Sequence, residues 1–131
     1  MALVNLLVVL AIVQFIAFAL FVASARGRYG VAAPAISGHE IFERYHRVQM
    51  NTLELLIGLI PGVWIASTYC NLYFVAAMVA TYLVGRSLYF RAYIRDPKSR
   101  SLGFAASFLP IVALLLAGAG GAIWSMLQNG I

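Results

Sequence analysis

Long apolar stretches constrain this chain more than any other feature. Residues 2–25 are interrupted only by Asn5, Gln14 and Ser24, and three further stretches follow at 39–67, 72–94 and 102–127. Crossing a bilayer takes about 20 predominantly apolar residues in a helix. Of the 131 residues, 63% are hydrophobic and 10% charged, against about 45–50% and 25% in a soluble domain. A soluble fold this small could not cover such a surface with polar groups. Lipid accepts apolar side chains but no bare backbone, so the spans must be helices. The expected fold is all-α: a single transmembrane domain over 1–131, built as an integral membrane four-helix bundle. The first stretch resembles a signal peptide. It lacks a basic n-region, however, and it exceeds the roughly 7–15 apolar residues of such a segment. It reads as a retained span.

The second stretch differs from the others. Its first half carries Glu40, Glu43, Arg44, His46, Arg47, Gln49, Asn51 and Glu54, and its apolar half contains Pro61, where a kink is expected. Ser37 is the expected N-cap, with Glu40 as its capping-box partner. The third stretch turns polar late, at Arg86, Tyr89, Arg91 and Tyr93, and Pro97 stops it. The small-residue run at 117–122 suits close helix approach.

All nine Lys and Arg residues fall near loops one and three, and none lies near the termini or loop two. By the positive-inside rule, loops one and three face the cytoplasm. The net charge of +5 is therefore read as a topology signal. No basic run or nucleic-acid motif accompanies it, and no nucleic-acid partner is expected. Arg26, Arg28, Arg91, Arg95 and Lys98 read as orienting charges and lipid-headgroup contacts.

Some charges lie inside the spans, where each costs at least about 2.5–3.5 kcal/mol and usually marks a functional path. Arg47, Asn51 and Glu54 are spaced i, i+4, i+7 and share one helix face, with Arg44 a turn earlier. Arg86, Tyr89 and Tyr93 form a second stripe at i, i+3, i+7. Together they offer cations, a carboxylate, an amide and phenols. That set suits a small ligand with more than one carboxylate and an amine. The plainer alternative is that Arg47 and Glu54 only tie the bundle together. Nine cations against four carboxylates leave positive charge that calls for an anion. His39 and His46 are seven apart, too far for the usual i, i+4 zinc pair, so no metal site is expected. The lone Cys70 allows no internal disulfide.

The run Phe42-Glu43-Arg44-Tyr45-His46-Arg47-Val48-Gln49-Met50-Asn51-Thr52-Leu53-Glu54 resembles the signature of the MAPEG family, the membrane-associated proteins in eicosanoid and glutathione metabolism. Its form is roughly F-E-R-x-x-R-A-Q-x-N-x-x-E, and Val48 stands where Ala is usual. Arg86-Ser87-Leu88-Tyr89-Phe90-Arg91-Ala92-Tyr93, followed by Arg95 and Arg100, resembles the second family block. The likeness implies a homotrimer with glutathione bound as co-substrate between subunits, near the cytoplasmic face. It also implies a microsomal glutathione transferase-like activity on lipophilic small-molecule electrophiles that arrive through membrane lipid. Glutathione peroxidase activity toward hydroperoxides accompanies that reading.

By position, the resemblance assigns glutathione contacts to Arg26, Arg47, Gln49, Asn51, Glu54, Arg86, Tyr89 and Tyr93. Arg100 resembles an arginine assigned to thiol activation in the leukotriene-synthase branch. Arginines suit the two carboxylates of glutathione, Glu54 suits its ammonium, and a guanidinium beside sulfur favours the reactive thiolate. Arg100 and Tyr89 are the expected catalytic residues, with Tyr93 as an alternative. The plainer reading of Arg100 is a membrane-edge anchor. Leu55 stands where the leukotriene branch has Tyr, so a general transferase fits better. Two other readings have the same size: a lipid-binding scaffold of this fold, and a small multidrug transporter. The intact polar set disfavours the scaffold, and the one-sided charge disfavours a dual-topology transporter. A bacterial inner membrane and an endoplasmic reticulum both fit.

Overall fold

The computed structural model describes residues 1–130 as four long helices: α1 (Ala2–Tyr29), α2 (Glu40–Tyr69), α3 (Leu72–Arg95) and α4 (Ser101–Asn129). A single 3₁₀ turn, Pro97–Ser99, joins α3 to α4. At 1.5 Å per residue the helices are about 36–45 Å long, against a hydrocarbon core of about 30 Å. All four are apolar enough to cross a membrane. Large apolar side chains stand exposed on every helix, including Leu20, Ile57, Val84 and Leu116. Such a surface is stable against lipid and unfavourable against water.

The helices run beyond the apolar stretches. α1 continues past Ala25 through Arg26 and Arg28, whose charges complement the helix C-terminus. It stops at Gly30, where φ is 70° and a left-handed cap is cheap only for glycine. The capping box expected at Ser37 does not form, because α2 begins later. His39 is the N-cap, and its Nδ1 accepts from the Ile41 N–H at 3.2 Å. Glu43 reaches back instead of Glu40, accepting from the Gly38 N–H at 3.0 Å. Pro61 does not interrupt α2.

α2 and α3 pack on each other, and both α1 and α4 pack on that pair. The main core, around Leu55, Leu59, Val63, Val79, Tyr82 and Leu114, fills the middle and the end opposite the charged loops. Two smaller clusters lie toward the charged end, around Phe42 and around Val48 and Tyr89. The seam between α3 and α4 depends on glycine. A Cβ on Gly85 would stand 2.6 Å from the Ala106 carbonyl carbon, and one on Gly103 would stand 2.6 Å from Tyr89 Cα. The small-residue run serves α2 instead: Gly118 packs on Ile65 and Gly121 on Tyr69. Close backbone approach of this kind is how membrane helices gain contact where lipid competes for apolar surface.

Candidate functional site

The up-and-down path brings the start of α2, the end of α3 and the start of α4 together. Arg44 ties two of these ends: its Nη1 donates to the carbonyls of Ile94 and Arg95 at 2.9 and 3.2 Å, and it pairs with Glu40. Next to this tie is a cavity of about 570 Å³ lined by Arg47, Asn51, Tyr89, Tyr93, Arg100, Ser101 and Phe104. Small-molecule sites span about 300–1,000 Å³. Five expected site residues therefore share one wall, drawn from three helices.

The α2 stripe is wired along its own helix. Glu54 accepts from Arg47 at 3.4 Å and from Asn51 Nδ2 at 3.2 Å. The Arg47 and Glu54 side chains remain 55% and 50% exposed. A pair that long and that wet is worth little to the fold, which leaves both charges available to a ligand. Arg100 is exposed, and its side chain donates to the Pro97 carbonyl at 3.2 Å. The aromatic wall is continuous: Tyr89 lies 5.4 Å from Tyr93 and 6.4 Å from Phe104, ring centre to ring centre.

Arg86 is placed differently from its stripe. It is fully buried and does not line the cavity. Its Nη1 donates to Asn51 Oδ1 at 3.1 Å and its Nη2 to Thr52 Oγ1 at 2.8 Å. The guanidinium carbon lies 4.1 Å from the Tyr89 ring centre. Arg86 thus fixes Asn51 and Tyr89 from behind the wall. Asn51 uses both ends of its amide, taking from Arg86 and giving to Glu54, so the buried cation and the exposed pair form one chain of bonds.

Arg26 and Gln49 also lie off this wall. Arg26 donates to the Ala35 carbonyl, covers the Phe42 ring and lines a separate hollow with Gly30 and Val31. Gln49 is half-buried and does not line the cavity. Thr52, Ser101 and Phe104 were not anticipated. Thr52 sits inside the signature beside Asn51, and a buried arginine on the facing helix is the signal that it needs a second acceptor. Ser101 and Phe104 follow Arg100 by one residue and by one helical turn, which is where its neighbours on α4 must fall. His39 caps α2, and His46 stacks against Phe42. Among the described residues no group of three or more His, Cys, Asp or Glu could hold a metal ion.

The arrangement offers two exposed guanidiniums, an amide and phenols around one cavity; Glu54 does not line it and is bonded to two residues that do, Arg47 and Asn51. It can bind a small polyanion that also carries an ammonium, and it can hold a negative sulfur or oxygen near Arg100.

Comparison with known proteins agrees with the motif. An uncharacterized protein of Synechocystis is 36% identical over 123 residues, covering 94% of this chain and 90% of its own length. Human microsomal glutathione S-transferase 2 is 38% identical over 112 residues, 86% of this chain and 76% of that protein. Bovine leukotriene C4 synthase is 32% identical over 90 residues, 69% of this chain and 60% of that protein. The MAPEG family model matches residues 4–120, nearly the whole chain and every wall of the cavity. With its four membrane-length helices and its signature folded into one polar wall, the chain belongs to the MAPEG family.

Proposed function

We propose that the protein is a membrane-bound glutathione transferase acting on lipophilic electrophiles in detoxification. The observation that carries this reading is the shared wall of Arg47, Asn51, Tyr93 and Arg100, with Glu54 bonded to Arg47 and Asn51. Glutathione matches it in charge. Its carboxylates pair with the guanidiniums of Arg47 and Arg100 or the amide of Asn51, and its ammonium pairs with Glu54. The names of two relatives, a glutathione S-transferase and a leukotriene C4 synthase, support the same class of chemistry.

The chemistry is thiolate addition. Bound glutathione loses its thiol proton to water, and the guanidinium of Arg100 stabilises the sulfur anion. A hydrogen bond from Tyr89 or Tyr93 adds to that stabilisation. The sulfur lone pair then forms a bond to the electrophilic carbon, and the leaving group departs with its bonding pair. With a hydroperoxide, the thiolate attacks the terminal oxygen to form a sulfenic acid, the O–O bond breaks, and the departing alkoxide takes a proton from water to give an alcohol. A second glutathione reduces the resulting sulfenic acid, forming glutathione disulfide and water. The electrophile comes from lipid, and the cations hold the charged half of the reaction at the membrane edge.

Assembly as a homotrimer belongs to this reading. Arg26 and Gln49 do not line the cavity of their own subunit. A ligand held between subunits would meet them from a neighbouring copy. Loops one and three then face the cytoplasm, where reduced glutathione is abundant, in a bacterial inner membrane or an endoplasmic reticulum.

Isothermal titration of the detergent-purified protein with glutathione tests this proposal, together with the ultraviolet absorbance of the thiolate. Saturable binding with thiolate formation, and conjugation to 1-chloro-2,4-dinitrobenzene, are expected. Absence of glutathione binding would overturn the reading.

A further inference from the structure

A second polar feature lies between α1 and α3 and shares no residue with the candidate site. Gln14 of α1 reaches across to α3, and its Nε2 donates to the Leu83 carbonyl and to Ser87 Oγ, both at 3.0 Å. Ser87 Oγ in turn donates to the Leu83 carbonyl at 3.1 Å. This rung borders a cavity of about 290 Å³ whose other walls are Val84, Leu88 and Arg91. Val84 and Leu88 are exposed, so the groove opens to the surroundings of the bundle.

The groove has a direction. Leu83, Ser87 and Arg91 follow at i, i+4, i+8 and climb one face of α3 toward its charged end, about 12 Å at helical rise. Along α3 the groove passes Leu83 and Val84, then Ser87 of the rung and Leu88, and ends at the guanidinium of Arg91. Arg95 lies one turn further along the same row and is exposed. Among the described residues neither arginine has an anionic partner. The chain has four Asp and Glu side chains, and each is engaged elsewhere. Glu40 pairs with Arg44 and Glu54 with Arg47. Glu43 accepts from the Gly38 N–H, and Asp96 caps the 3₁₀ turn at the Lys98 N–H. The described residues therefore leave no acidic side chain for Arg91.

We propose that this groove is a binding site for one anionic phospholipid. Its phosphate pairs with Arg91, with Arg95 above it. The ester region lies beside the Gln14–Ser87 rung, and an acyl chain follows Val84 and Leu88. A phosphodiester accepts the paired N–H donors of a guanidinium, and basic pockets between membrane helices on the cytoplasmic side bind lipid headgroups. The site is independent of glutathione and remains if the transferase reading fails.

Native mass spectrometry of the full chain, released from detergent after titration with phosphatidylglycerol or phosphatidylcholine, tests the proposal. The wild type is expected to retain one phosphatidylglycerol per chain, at least about fivefold more tightly than phosphatidylcholine. Arg91→Gln should abolish that preference. Arg28→Gln, an exposed cation at the same end but outside the groove, should preserve it. Val84→Trp fills the groove with the charge intact and should weaken both lipids. Equal retention of the two lipids by the wild type would overturn the site. So would equal effects of Arg91→Gln and Arg28→Gln, which would mark a diffuse surface charge. Arg91 and Arg28 are both exposed, so neither substitution threatens folding, and this pair decides the question even if Val84→Trp is poorly made.

Discussion

The guanidinium of Arg86 lies over the ring of Tyr89, 4.1 Å from its centre, and gives its hydrogen bonds to Asn51 and Thr52. One buried cation therefore sets both a ring and an amide of the cavity wall. Replacing it with Leu leaves Asn51 Oδ1 without its donor, at about 1–3 kcal/mol for a buried orphan, while Thr52 Oγ1 keeps its bond to the Val48 carbonyl. Arg86→Leu is expected to lower the melting temperature in detergent and to weaken glutathione binding through Asn51. Arg86→Lys keeps the charge but not the fork and should fall between. An Arg86→Leu variant that melts with the wild type would remove the supporting role.

Arg47 is the contrasting case. Its side chain is 55% exposed and its ion pair with Glu54 is 3.4 Å long. Arg47→Ala should leave stability within about 0.5 kcal/mol of wild type. Glutathione affinity should fall about tenfold or more, the value of a hydrogen bond to a charged group. Calorimetric titration beside a melting curve separates the two. A loss of stability equal to the loss of affinity would return Arg47 to a structural pair.

Three helices were legible because their apolar stretches are long enough to announce themselves without tertiary information; the apolar half of α2, 55–66, is too short to span alone, and α2 had to carry its polar half toward the membrane. The polar stripes were legible because helical period alone puts Arg47, Asn51 and Glu54 on one face. Period gives direction but not depth, which is why Arg86 and Tyr89 looked equivalent in the sequence and are not. Depth depends on the neighbour: Thr52 on α2 takes up the buried Arg86, α4 closes on the backbone of Tyr89 at Gly103, and Tyr93 and Arg100 stay on the cavity wall. Arg26 and Gln49 matched the family by position, yet the fold gives them surroundings off the cavity wall. The start of α2 was misread because Ser37 and His39 both can cap, and local sequence does not rank a serine against a histidine stacked on Tyr29.

Arg100 is tested by separating rate from binding. It is exposed, and among the described residues its side chain bonds only to the Pro97 carbonyl, so its loss should not disturb the fold. Arg100→Ala is expected to reduce turnover about a hundredfold, as for loss of one donor to a developing anion. Glutathione binding should weaken much less. The ultraviolet thiolate signal should fall in parallel with turnover. Unchanged turnover would make Arg100 a membrane-edge anchor.

Gly103 and Gly120 lie on the same helix and separate packing from helix propensity. A Cβ at Gly103 would press on the backbone of Tyr89, 2.6 Å from its Cα, whereas one at Gly120 meets nothing within 4 Å. Gly103→Ala must push α4 off α3, and overpacking of this kind costs about 1–3 kcal/mol. Gly120→Ala adds only helix propensity, up to about 1 kcal/mol in its favour. The melting temperature should therefore fall for the first and hold or rise for the second. Activity should divide the same way. Gly103 sits three residues after Arg100 and against Tyr89, so moving α4 there shifts the two expected catalytic groups relative to each other. If Gly103→Ala melted and turned over like Gly120→Ala, the close α3–α4 seam would not be what positions the site.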